Sequence, residues 1–84
     1  PLNNKKYKTD ALYSLGVLCY NDGANILKVA TPLATSDADK YAAEKAKADA
    51  RFKEAVDYLG EAQKVSPERA EIKTMLTQVQ DAMK

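Results

Sequence analysis

Histidine and tryptophan are absent from this chain, and cysteine occurs once, as Cys19. Without histidine there is no imidazole base, no imidazole metal ligand and no Ser–His or Cys–His nucleophilic pair. A lone cysteine builds neither an internal disulfide nor a structural zinc site. Cys19 lies in a strongly apolar stretch with no cationic neighbour to lower its pKa, so it reads as a core thiol. The three glycines, Gly16, Gly23 and Gly60, are too scattered to cradle a phosphate. Asp37 and Asp39 are not followed by calcium-loop spacing or a closing glutamate, and read as residues favoured by the positive end of a helix dipole. These absences exclude the usual catalytic, cofactor and metal sites, and no enzyme is expected.

An excess of one charge is missing too. Thirteen basic side chains face twelve acidic ones, for a net charge of +1. Phosphate neutralisation supplies much of a nucleic-acid binder's affinity, so nucleic acid is not an expected partner. Lys5, Lys6 and Lys8 are the only basic concentration, and they read as a solvated chain end. No apolar run is long enough to span a bilayer, so no membrane insertion is expected. The chain opens on Pro1, which reads as a processed product or a piece of a longer protein.

What remains is helix. The 84 residues are 45% hydrophobic and 30% charged, rich in alanine and lysine and poor in β-branched residues. That length holds one domain near the lower limit for a self-sufficient core. The periodicity predicts a first helix over about 9–30, capped by Thr9 or Asp10. Leu12, Leu15, Cys19, Ile26 and Ala30 trace one face. Tyr13, Val17, Tyr20, Ala24 and Leu27 trace a second, with Leu18 near it, and form the candidate protein-contact face. A helix apolar on most of its circumference expects neighbours on more than one side.

Thr31-Pro32-Leu33-Ala34-Thr35 breaks the pattern, because proline disfavours helix before it and lacks a donor. Ser36, with Asp39 three residues on, is expected to cap a second helix over about 37–65. Its apolar stripe reads Ala38, Tyr41, Ala42, Phe52, Ala55, Val56, Leu59 and Ala62. Lys40 with Glu44, Asp49 with Lys53 and Lys53 with Asp57 sit at helical pair spacing. Ser66 and Pro67 are expected to open a third helix over about 67–83, with Ile72, Met75, Leu76, Val79 and Met83 on one stripe.

On the first helix Leu12-x2-Leu15-Gly16-x2-Cys19 resembles the W-x2-L-G-x2-Y pattern of tetratricopeptide (TPR) repeats. On the second, Ala55-x3-Leu59, Ala62 and Pro67 resemble the A-x3-F and closing proline of the same family. In the family's spacing Gly23 and Phe52 stand one residue apart, whereas here Ala24 to Arg51 intervene. The resemblance implies an all-α fold: an antiparallel TPR hairpin with long helices and a C-terminal capping helix, three helices in all. It implies a non-catalytic protein–protein interaction module within a longer scaffold array, without cofactors. Expected partners are a protein or peptide segment, or neighbouring TPR repeats. The alternative is a structural C-terminal cap or self-association segment, hence a homo-oligomer. The resemblance also points to bacterial proteins, often exported or periplasmic.

Overall fold

The computed structural model describes residues 4–83, with side chains described from Lys5. Four helices follow in order: α1 (Asn4–Ala30), α2 (Leu33–Ser36), α3 (Ala38–Val65) and α4 (Ala70–Ala82). At about 1.5 Å per residue, α1 and α3 are each roughly 40 Å long. They pack antiparallel along most of that length, giving a body of 54 × 19 × 14 Å. The core runs as a line between them: Cys19 and Ala30 from α1, Ala48, Phe52, Ala55, Leu59 and Ala62 from α3. α4 closes one end by burying Ile72 and Val79, with Met75, Leu76 and Met83 packed beside them. At about 25 cal/mol per Å2 of apolar surface, such burial is the main force holding α4, whose other faces are polar.

Three helix boundaries differ from the sequence expectation. α1 begins at Asn4, so neither Thr9 nor Asp10 is a cap. Thr9 is fully buried; its hydroxyl donates to the Lys5 carbonyl at 2.8 Å and stands 2.7 Å from the Ser66 hydroxyl. Because Thr9 spends its proton on Lys5, Ser66 is the donor of that second bond. At the far end Ser36 lies within α2, where its hydroxyl donates to the Pro32 carbonyl. Asp37 takes over the cap of α3, its carboxylate accepting the Lys40 amide at 3.1 Å. The short α2 makes four helices where three are expected. Finally, α4 opens at Ala70 instead of Pro67. The Ser66 amide donates to the Ala62 carbonyl and so ends α3, and the Arg69 amide donates to Ser66 in the turn that follows.

The two ends of the hairpin differ in depth. Near α4 three helices surround the core. Toward α2 only α1 and α3 remain, and alanines make the contact: Ala30 and Ala48 are fully buried, while Ala38 and Ala42 are exposed. Ion pairs run along the surface of α3, but between Lys45 and Asp49, Glu44 and Lys47, and Arg51 and Glu54, not the expected partners. Each contributes only a few tenths of a kcal/mol.

Gly60 is a helix-interior glycine with open space around it, since an added methyl would meet nothing within 4 Å. Glycine there costs the helix backbone entropy that alanine does not. Gly60→Ala is therefore expected to stabilise the chain by about 0.5–1 kcal/mol. Thermal denaturation followed by circular dichroism checks this: the midpoint rises by several degrees, and a fall would mean that Gly60 has an unseen neighbour.

Candidate protein-contact surface

The geometry of α1 follows from where α3 touches it. Gly16 and Gly23 are the points of closest approach. A methyl on Gly16 would lie 2.6 Å from Leu59 Cγ, and one on Gly23 2.6 Å from Phe52 Cε1. With Cys19 between them, these residues mark the line along which α1 lies on α3. The Cys19 thiol donates to the Glu54 carboxylate across 3.7 Å. Burial, with the Glu54 charge adding to it, pushes that thiol above its ordinary pKa, so it stays protonated and unreactive at neutral pH.

Each side of this line carries apolar residues. On one flank lie Tyr13, Val17, Tyr20, Ala24 and Leu27, all half-buried. Tyr13, Tyr20 and Leu27 pack partly against the core, and the Tyr20 ring tilts 42° to Phe52 at 5.8 Å between centroids. Val17 and Ala24 stand between those contacts. This flank thus sets two smaller apolar side chains among larger ones already packed on the core.

The opposite flank is more open. Leu15, traced by its spacing to the face of Leu12 and Cys19, is 41% exposed, and Leu18 is 56% exposed. Apolar periodicity alone does not distinguish them from Leu12, which does pack on the core. Their exposure is decided by α3 and α4, which cover the other sides of the helix and leave this one bare. A signal existed in retrospect: Leu15 and Leu18 share a row with Lys8 and Asp22, and charged residues mark a helix side that faces water.

The base of the hairpin is fixed by polar contacts. The Arg69 guanidinium reaches Asp10 on α1 at 2.6 Å and Glu71 on α4 at 2.8 Å. Those hydrogen bonds keep Arg69 firmly charged, and the bond from Arg69 holds the Glu71 carboxyl below the usual glutamate range. Together with the Thr9–Ser66 pair they set the angle at which α4 leaves the turn. Among the described residues no group of histidine, cysteine, aspartate and glutamate could hold a metal ion, and no helix is long and apolar enough to cross a membrane.

Such a molecule is an α-helical hairpin with a further helix closing one end, the kind of unit from which helical-repeat proteins are stacked. No family profile and no curated protein matches it. Among solved structures it is similar to a TPR repeats protein from Bacteroides fragilis NCTC 9343, at 67% identity and a TM-score of 0.92 over 94% of this chain. The chain spans 35% of the length of that protein. In fold it is a tetratricopeptide-type segment with an elongated hairpin. The elongation has a simple form here. Gly23 and Phe52, which the ordinary repeat spacing would set beside the turn, still touch. The stretch Ala24–Arg51 runs outward from that contact and returns to it as an added arm.

Proposed function

We infer that this chain is a non-catalytic protein–protein interaction module of TPR type, one part of a longer scaffold array. The observation that carries the reading is the apolar surface that α1 keeps on both sides of its contact with α3. A helix buried on one line only would carry polar residues elsewhere, as α4 does. Specificity comes from the Tyr13, Val17, Tyr20, Ala24 and Leu27 flank, whose aromatic edges are held in place by Phe52 and the core. The polar clasp at Arg69 and the glycine contacts supply rigidity, which lowers the entropy lost when a partner docks. The partner is a protein or peptide segment presenting an apolar helix or extended strip, or a neighbouring repeat.

A photo-crosslinking residue at Val17 or Ala24, compared with one at Lys73 or Gln78 on α4, tests this in the protein at its natural length. Crosslinks to a protein or to another repeat are expected from the α1 positions alone. Equal capture from the α4 positions, or capture from those only, would overturn the reading.

A further inference from the structure

Lys8, Ala11, Leu15, Leu18 and Asp22 follow one another at steps of three, four, three and four residues, which lays them in one row along α1. All five are exposed. The row lies on the open flank, across the Gly16–Cys19–Gly23 line from Tyr13, Val17 and Tyr20. Lys8 and Asp22 stand seven residues either side of Leu15, with Ala11 four residues before it and Leu18 three after. Its ends carry opposite charges, and between them stand one small and two large apolar residues.

That pattern complements itself in one orientation only. Two copies of α1 laid antiparallel across this row set Leu15 against Leu15 at the two-fold axis. Leu18 of each copy then meets the small Ala11 of the other, and Lys8 of each meets Asp22 of the other. A parallel arrangement sets Lys8 against Lys8 and Asp22 against Asp22. Neither Lys8 nor Asp22 is in any of the ion pairs that the described residues form, so both charges are free to be used in this way. A two-fold dimer needs one self-complementary patch, because each surface must be its own partner.

We propose that this row is a self-association surface and that its occupant is a second copy of this chain, bound antiparallel through α1. The proposal rests on the reading of the chain as an interaction module and assigns a partner to the flank that reading leaves open. Exposed leucines supply the attraction, and the end charges fix direction and register. One helix-to-helix contact is small for a specific interface, so the dissociation constant expected is on the order of tens of micromolar.

Light scattering and sedimentation over about 5 to 300 µM read the outcome. The measured mass is expected to climb from 9.2 kDa toward twice that value. Lys8→Glu and Asp22→Lys, made singly, each place like charges together at both ends and are expected to weaken the dimer roughly five- to tenfold. The double variant restores opposite charges and is expected to recover the original affinity. Leu18→Lys is expected to leave a monomer at every concentration, with helical circular dichroism unchanged because Leu18 packs on nothing buried. A monomeric wild-type chain across the range overturns the proposal, as does a dimer indifferent to these four variants. Either result leaves the crosslinking test of the other flank intact, since that test needs no second copy.

Discussion

Replacing Phe52 with alanine is expected to cost about 3–5 kcal/mol, the largest loss any single truncation should cause here. Phe52 is fully buried and is the largest side chain to be so. It stands where the three-helix end of the molecule gives way to the two-helix arm. Gly23 lies against its ring from α1, and Tyr20 tilts onto it at 5.8 Å. Truncation therefore leaves a cavity lined on one side by a glycine, which has no side chain to relax into it. The aromatic pair is lost as well, worth about 0.5–1.5 kcal/mol beyond burial. A domain of this size holds only a few kcal/mol of net stability. The midpoint of thermal unfolding should fall by more than about 12 °C, measured by circular dichroism. A drop of only a degree or two would mean that Phe52 is not at the centre of the core.

The second expectation concerns the same contact from the other side. Gly23→Ala places a methyl 2.6 Å from Phe52 Cε1, 2.8 Å from Cδ1 and 3.0 Å from Cζ. Three ring atoms are struck at once, and a buried ring has no open side to turn toward. Overpacking of this kind costs about 1–3 kcal/mol. Alanine returns about 1 kcal/mol through its better helix propensity, so the net change is a loss of up to about 2 kcal/mol. At Gly16 the atoms struck are Leu59 Cγ at 2.6 Å and Cδ2 at 2.8 Å, with the Ala55 carbonyl oxygen at 3.4 Å, and Leu59 is as fully buried as Phe52, so a loss of the same order is expected there. Urea denaturation of Gly23→Ala, alone and combined with Phe52→Leu, separates the causes. Relief of the loss in the double variant is expected, because the two sites share one contact and their effects cannot add. Strict additivity would place the strain elsewhere.

Several features were legible because single residues carry them. Pro32 stops α1 whatever surrounds it, and the Leu-Gly and Ala-x3-Leu spacings put small residues where the helices cross. Gly16 and Gly23 do make the closest approaches, and Ala55 and Ala62 are fully buried. The all-helical TPR-type fold follows from such local chemistry, and the similarity to a TPR repeats protein agrees with it.

The misplaced features depend on residues far apart in the chain. Thr9 looks like a cap by its local sequence. Its hydroxyl is instead drawn into the base by Ser66, and a preceding turn of helix satisfies its amide. Ser66 and Pro67 look like a helix start, yet the Arg69 bridge to Asp10 and Glu71 fixes the turn that delays α4 to Ala70. The placing of Leu15 fails for a related reason. Apolar residues surround most of α1, and periodicity cannot say which of several apolar sides the other helices will cover. The row that holds Val17 and Ala24 follows from helical spacing, but their half-burial among side chains engaged with the core does not.

The central claim is that α1 is the contact element and that α3 and α4 support it. Hydroxyl-radical footprinting, read residue by residue on dilute and then on associated protein, tests that most directly. In the dilute chain Leu15 and Leu18 should be oxidised freely, while Phe52, Leu59 and Ile72 are protected. On association with a partner or a second copy, new protection should fall on α1 between residues 8 and 27 and leave the outer face of α4 unchanged. New protection confined to α4 or to the arm, with Leu15, Val17 and Leu18 still oxidised at their original rates, would contradict the account.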